Sequence, residues 1–209
     1  MAEHKPITRL FADIQTWMRN HVPDVTFRPP ASPAAIDHFV TVSGIEPPLF
    51  LRQLLLVADG ETRASAGAIG NWRFLPITEI QAAWGLLTKL SEKGAFADLE
   101  PKSSPYIRSE WWHSGWIPFV SSDSGDYLCL DTDPIEPSRR GQVVIFLQNR
   151  PERVLVAGYL ATWLERILTD LEAGLYDYDP EAGFDGEAFM WSALEGKHLF
   201  ENPGGKLIV

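Results

Sequence analysis

The sequence predicts an α+β domain built from N-terminal helices, a meander of strands and a closing helix. Apolar residues recur at helical spacing in the first third of the chain, and four strand-like runs follow one another between residues 116 and 158. Turn-rich pieces separate these runs, so consecutive antiparallel pairing is the simplest topology. The strands do not alternate with helices, which excludes a series of βαβ units.

Three helices are predicted before residue 60. The first covers about residues 6–20, where apolar side chains follow Pro6 at helical spacing: Leu10, Phe11, Ile14, Trp17 and Met18. The second has Ser32 as its N-cap and Pro33 at its first position, and Gly44 ends it. The third runs from about Pro47 to Ala58, and a short loop joins it to the second in an αα-hairpin.

The middle of the chain changes character. "NWRFLPITEIQAAWGLLTKL" predicts a short strand at about 72–75 and a helix from Thr78, as its cap, to about Leu90. Residues 94–115 form a long stretch with prolines and paired serines, which favours either a binding loop or a buried short helix.

Strands are predicted at 116–120, 126–131, 141–148 and 153–158, and a strongly amphipathic helix at about 159–174. Beyond residue 176 the chain is acidic but contains Phe184, Phe189, Met190, Trp191 and Leu194, which predicts a peripheral helix. We therefore divide the chain into an N-terminal helical extension (1–24), the α+β domain (25–176) and an acidic C-terminal extension (177–209).

Composition and charge narrow the class of protein. No apolar run in the 209 residues approaches the length of a membrane span, and Cys129 is the only cysteine, so a cytoplasmic protein is expected. The net charge is −10, and residues 165–201 hold ten acidic against two basic side chains, a net −8. Such a charge repels nucleic acid and anionic membranes and attracts basic proteins; the alternative is a solvated face.

An aspartate-rich stretch, "SSDSGDYLCLDTDP" at 121–134, raises the question of a metal site. The spacing does not fit an EF-hand, because in a loop that starts at Asp123 the twelfth position, which requires a bidentate glutamate, holds Pro134. Strand alternation also points Asp126 and Asp131 to opposite faces. A hairpin turn around Asp123, Gly125 and Asp126 is favoured, with Asp131 and Asp133 at the end of the strand and no metal.

Motifs for catalysis are lacking in the sequence. There is no HExxH, GxSxG, GxGxxG or phosphate-binding GxxxxGK[ST], and Cys129 lies within a strand where burial would make its thiol inert. Carboxylate pairs for acid–base chemistry exist, but no spacing selects one of them.

The tryptophans are a more specific signal. "EWWHSGWIPF" places Trp111, Trp112 and Trp116 within six residues. Core packing is one interpretation; the other is an aromatic contact surface around Trp111 and Trp112, extended by Trp72. We predict that these rings, with Asp177, Asp179 and Glu181 as an acidic rim, bind a protein partner.

Six pieces of the chain, in order, resemble the SUKH superfamily of bacterial immunity proteins and fungal cell-wall-assembly regulators of the Smi/Knr type. They are "PPAS…I…F…G" at 29–44, "ADGE" at 58–61, "WRFLPITEI" at 72–80, "WIPFVSSDSGDYLCLDTDP" at 116–134, "GQVV" at 141–144 and "LATWLERILTDLEAGLY" at 160–176. The resemblance covers about residues 25–176. It implies a mixed, mainly antiparallel sheet flanked by helices, a variable cleft that binds a partner, and no catalysis.

The favoured interpretation is therefore a non-enzymatic immunity protein that neutralises a basic toxin domain, without cofactor, as a monomer or weak dimer. A regulatory module for cell-wall or polysaccharide synthesis is the first alternative, and a carboxylate-based hydrolase is the second.

Overall fold

The structure, a computed structural model, describes residues 5–63, 67–69, 72–122, 124–178 and 191–193. Its helices are α1 (Ile7–His21), α2 (Pro33–Ser43), α3 (Leu49–Leu55), α4 (Ile77–Glu92) and α5 (Leu160–Glu172). Its strands are β1 (Arg73–Phe74), β2 (Lys102–Ser103), β3 (Trp116–Ser121), β4 (Tyr127–Asp131), β5 (Gln142–Phe146), β6 (Glu152–Ala157), β7 (Tyr176–Tyr178) and β8 (Trp191–Ala193). None of the helices in these ranges combines the length and apolar character needed to cross a bilayer.

The main sheet has six strands in the order β1-β3-β4-β5-β6-β2. β3 to β6 pair consecutively and antiparallel, β1 pairs antiparallel with β3, and β2 lies parallel to β6. The α+β fold with a mixed, mainly antiparallel sheet is thus confirmed.

Local signals in the sequence set several helix ends. Ser32 accepts a hydrogen bond from the Ala35 N–H at 3.2 Å, and Gly44 ends α2 in the left-handed conformation at φ +70°. The prediction that Thr78 caps α4 is wrong. Pro76 occupies the cap position, and the Asp59 carboxylate, 18 residues upstream, accepts the Ile77 N–H at 2.7 Å.

Two further predictions need correction. Residues 94–115 contain no helix; they form turns and strand β2. Residues Trp191–Ala193 form strand β8, which pairs antiparallel with β7. The prediction of a peripheral helix beyond residue 176 is therefore wrong for these three residues. Phe184, Phe189, Met190 and Leu194 lie outside the described residues.

The two faces of the sheet carry two apolar clusters. All five helices contribute to the main core on one face, against side chains that include Ile117, Leu130 and Ile145. On the other face, Cys129 and Val144 pack in a second cluster under the segment 94–115, which contributes Ile107, Trp111 and Trp112. Because strand side chains alternate, each central strand feeds both layers.

Candidate functional site

A polar cleft of about 380 Å³ opens where three loops meet. We use the name polar cleft for the space lined by Ser43, Gly44, Ile45, Glu46, Trp84, His113, Ser114, Gly115, Thr132, Asp133 and Arg140. These residues come from the α2–α3 connection, helix α4, the loop before β3 and the β4–β5 connection. The cleft therefore joins parts of the chain up to about 90 residues apart in sequence.

Hydrogen bonds to main-chain carbonyls fasten these loops together. Arg140 donates to the carbonyls of Thr132 and Glu46, the latter at 2.8 Å. Thr132 donates its hydroxyl to the Gly115 carbonyl at 2.6 Å, and the Trp84 indole donates to the Ser114 carbonyl at 2.7 Å. These hydrogen bonds connect the loops that form the walls of the cleft to one another.

A chain of charges runs along one wall. The ring nitrogens of His113 lie 3.1 Å from Glu110 Oε2 and 3.2 Å from Asp133 Oδ2. Arg108 also contacts Asp133 twice. Its Nε donates to the Asp133 main-chain carbonyl at 2.7 Å, and its Nη2 lies 3.0 Å from the Asp133 carboxylate. The hydrogen bond from Arg108 lowers the pKa of Asp133, so this carboxylate stays ionised.

The predicted hairpin carboxylates have separate contacts. The β3–β4 hairpin is present, with Gly125 in its turn at φ +97°, and Asp126 accepts the Gln148 N–H at 2.7 Å. Asp131 is fully buried and accepts from the Asp133 N–H at 3.1 Å and Gln142 Nε2 at 2.9 Å, and burial raises its pKa. Asp123 lies outside the described residues.

Metal-binding and thiol chemistry find little support in these contacts. Within the described part of the chain, no group of three or more His, Cys, Asp or Glu side chains is arranged to hold a metal ion. Cys129 is buried, and its desolvation raises the pKa of the thiol well above the ordinary value.

The expectation of exposed rings at Trp111 and Trp112 is wrong, because both are buried. Trp112 packs edge-on against Phe146 and donates its indole N–H to Thr88 at 3.1 Å. Trp72 packs instead against the main core, so the three rings do not share one surface. Core packing, the other interpretation of this motif, accounts for Trp111 and Trp112 because large aromatics contribute most when buried.

Of the three residues predicted to form an acidic rim, the structure describes only Asp177. Asp177 belongs to β7 by its backbone, while Asp179 and Glu181 lie outside the described residues. The next residue, Tyr178, donates its hydroxyl to Asp24 at 2.8 Å, and burial together with that carboxylate raises its pKa to about 12. A partner-binding role for the acidic residues stays a prediction.

The sequence did not indicate Glu46 and Arg140, which line the cleft, or Arg108 and Glu110, which contact its lining residues. Each is an ordinary surface charge in its local context, and nothing in its spacing connects it to the others. The fold of the α2–α3 connection onto the β4–β5 connection brings Glu46 to Arg140. Arg108 and Glu110 come from the segment before β3 and contact Asp133 and His113 there.

The structure is thus an α+β domain with a mixed sheet and a polar cleft between its loops. Residues 30–166, more than half of the chain, match the model of the SMI1 / KNR4 family (SUKH-1). The chain belongs to this family, which confirms the resemblance drawn from its six sequence pieces.

Several fungal relatives are similar to the chain. The cell wall biosynthesis/cell cycle regulator smi1 of Schizosaccharomyces pombe is 25% identical over an alignment of 148 residues, and the match covers 64% of this chain and 29% of that protein. KNR4/SMI1 homolog 2 of Debaryomyces hansenii is 29% identical over 73 residues, 35% of this chain and 12% of that protein. A KNR4/SMI1 homolog of Kluyveromyces lactis is 31% identical over 68 residues, which cover 32% of this chain and 13% of that protein. The chain thus spans less than a third of the length of these curated relatives.

Proposed function

We propose that this chain is a non-enzymatic protein-binding domain that presents its polar cleft to a basic protein partner, and that it acts as an immunity protein against a toxin domain. One observation carries the proposal. Carboxylates at the cleft project outward, whereas the cations that pair with them are held closer to the protein.

Three ion pairs give this outward bias. The side chains of Glu46, Asp133 and Glu110 are 62%, 58% and 49% exposed. Their partners, in the same order, are Arg52, Arg108 and His113, and each is less exposed than its carboxylate. In each of these pairs the carboxylate is the more exposed partner, which favours encounter with a basic protein.

The same contacts support binding rather than catalysis. A general base that works near neutral pH needs a carboxyl pKa raised toward that range, in reach of a substrate. The Asp133 carboxyl that lines the cleft has a lowered pKa, and Asp131, whose pKa is raised, is fully buried and accepts two hydrogen bonds. Neither group is placed for proton transfer.

A toxin that acts on nucleic acid would supply a suitable partner surface. The substrate-binding face of such an enzyme is basic because it contacts phosphates. Exposed carboxylates on an inhibitor can occupy that face in place of phosphate and so block substrate binding.

The experiment is a purification of partners from the native host with the tagged full chain, followed by binding measurements with variants. We expect a partner with a basic surface, whose toxicity on expression is suppressed by this chain. The variant Glu46→Gln with Glu110→Gln should bind it at least about tenfold more weakly, the effect of losing interface contacts worth about 1.4 kcal/mol.

The control removes two carboxylates elsewhere. Glu92→Gln with Glu172→Gln changes the same net charge at the C-terminal ends of α4 and α5, where carboxylates are unfavourable to the helix dipole. It should bind as the unmodified chain does. Equal weakening in both variants, or no protection from the partner's toxicity, argues against a cleft-based immunity function.

A second candidate follows from the name of the Schizosaccharomyces pombe relative, a cell wall biosynthesis/cell cycle regulator. Under this proposal the partner is a host enzyme or scaffold of cell-wall synthesis. Deletion of the gene separates the two: altered sensitivity to wall-damaging agents without any toxin supports regulation, whereas unaltered growth until a toxin is supplied supports immunity.

A further inference from the structure

A second concave surface, which we call the apolar groove, lies between the start of α1, helix α3 and the start of α5. It has a volume of about 510 Å³, and its lining includes Pro6, Phe50, Tyr159 and Ala161. An engineered protein cavity of about 150 Å³ is already large enough for benzene. The apolar groove therefore has room for more than one large side chain.

The walls of the groove expose aromatic surface to solvent. Phe50 is 40% exposed and Tyr159 53%, and the neighbouring Leu49 is also exposed. These positions are independent of the core, since α3 buries Leu51, Leu54 and Leu55 instead. Contiguous exposed apolar surface of this kind marks interaction sites in folded proteins.

In the ion pairs beside the groove the cations are more exposed than the carboxylate, the reverse of the ion pairs at the polar cleft. Lys5, which lines the groove, and Arg9 lie 3.4 Å and 3.0 Å from the single carboxylate of Asp13. Both cations are far more exposed than this aspartate, and the Arg9 side chain is 71% exposed. Two outward cations therefore share one carboxylate beside the groove, on a protein whose net charge is −10.

We propose that the apolar groove docks a peptide segment of a second protein partner, with a bulky apolar side chain inserted between Phe50 and Tyr159 and acidic residues beside it paired with Lys5 and Arg9. Apolar walls supply the desolvated centre, and the cations select a flanking carboxylate. This site goes beyond the polar cleft, whose partner is basic.

The probe is a phage-displayed random peptide library selected on the folded full chain, followed by titration of the synthesised peptides. We expect enriched peptides that combine an aromatic or large aliphatic residue with adjacent Asp or Glu. Phe50→Ser with Tyr159→Ser should weaken their binding at least about tenfold, as expected for loss of an aromatic anchor site. Lys5→Glu with Arg9→Glu leaves the aromatic walls intact and should weaken binding several-fold, with a steeper loss at low salt.

Matched controls are Leu56→Ser with Ile135→Ser for exposed apolar surface, and Arg63→Glu with Arg150→Glu for exposed cations, all outside the groove. These variants should bind the peptides normally. Selection of no peptides, of peptides without carboxylates, or of peptides insensitive to the groove variants would overturn the proposal.

Two other occupants are tested with the same variants. Sedimentation of the chain over a concentration series would reveal a dimer that Phe50→Ser with Tyr159→Ser dissociates, which would assign the groove to a second copy. Binding to phosphatidylserine vesicles that is lost in the Lys5→Glu with Arg9→Glu variant would assign it to a lipid surface. Either result replaces the peptide proposal.

Discussion

At the scale of single residues, two buried carboxylates of this protein, Glu61 and Asp131, accept hydrogen bonds from main-chain N–H groups. Glu61 is fully buried and accepts from the Phe74 N–H at 2.8 Å and the Ala68 N–H at 3.3 Å. Asp131 does the same for Asp133, at the base of the cleft wall. An unpaired buried N–H costs about 1–3 kcal/mol, so such carboxylates fix loops that no sheet or helix satisfies.

Asp131 gives the first prediction, because burial raises its pKa above the ordinary 3.8. A carboxyl whose pKa is higher in the folded state contributes stability that is present below about pH 3.8 and is lost as the pH rises through the raised value. Asp131→Asn removes this titration. Relative to the variant, the unmodified chain should therefore lose unfolding free energy between about pH 4 and pH 7.

Urea unfolding of both proteins at the two pH values measures this difference. Asp133→Asn is the control, since the Asp133 pKa is lowered and its stabilisation is lost only as the pH falls below about 4. Parallel pH profiles for the unmodified chain and Asp131→Asn would contradict the prediction.

A second prediction concerns Gly60, in the loop that follows α3. Its φ is +65°, and an added Cβ would lie 2.5 Å from the Pro76 nitrogen and 2.7 Å from the Leu75 carbonyl oxygen. Gly94 has a similar φ of +74° but open space around it. Gly94→Ala should cost only the left-handed strain, about 1–2 kcal/mol. Gly60→Ala should cost at least twice as much in the same urea measurement, because backbone cannot move aside as a side chain can; equal costs would contradict this.

At the scale of elements, the sequence predicts what is encoded locally. Ser32 with Pro33 and Gly44 defines both ends of α2, and the four strand runs follow each other in space as in sequence. What it does not predict depends on distant contacts. The start of α4 is set by Asp59, and the parallel pairing of β2 with β6 joins residues about 50 apart. The polar cleft belongs to this second kind, and no local pattern in the sequence indicates its residues.

The burial of the segment 94–115 also depends on a distant residue, Arg153 in β6. Its fully buried guanidinium lies 4.6 Å from the ring centres of both Trp111 and Phe146. It donates to the Trp111 carbonyl at 2.9 Å and to the Arg150 and Glu152 carbonyls at 2.7 Å and 2.9 Å. Burial lowers its pKa to about 10, which leaves it charged at neutral pH. Arg153 thus fastens the tryptophan segment to the sheet.

The third prediction is that Arg153→Ala loses at least about 3 kcal/mol, because a buried side chain is truncated and three carbonyls lose their donor. Tryptophan fluorescence should shift to the red, and proteolysis within 94–115 should accelerate, since this segment loses its attachment. Arg150→Ala, a half-exposed neighbour in the β5–β6 connection, should leave both readouts unchanged. A destabilised Arg153→Ala variant whose segment 94–115 resists proteolysis would show that the contact does not hold this segment.

At the scale of the whole molecule, ion-pair orientation divides the surface into regions of opposite sign. Carboxylates project around the polar cleft, cations project along the start of α1, and residues 165–201 add a net −8. Under the two proposals, a basic partner binds at the cleft and an acidic segment binds at the apolar groove. The two events should then respond in opposite ways to substitutions of surface charge.

The last prediction uses Asp177, Asp179 and Glu181, the acidic residues at the start of the C-terminal extension. Reversing all three to lysine makes the net charge of −10 less negative by six. Association with a basic partner should become slower and less dependent on salt. The reason is that electrostatic steering acts on the approach of the two proteins and is screened by ions. The fold, checked by circular dichroism, should be intact. Stopped-flow association over a range of salt concentrations measures the effect, with the Glu46→Gln and Glu110→Gln variant as reference for direct contact, which should act mainly on dissociation. Association kinetics that the triple reversal leaves unchanged would mean that the acidic segment is a solvated face, and steering would then rest on the cleft carboxylates alone.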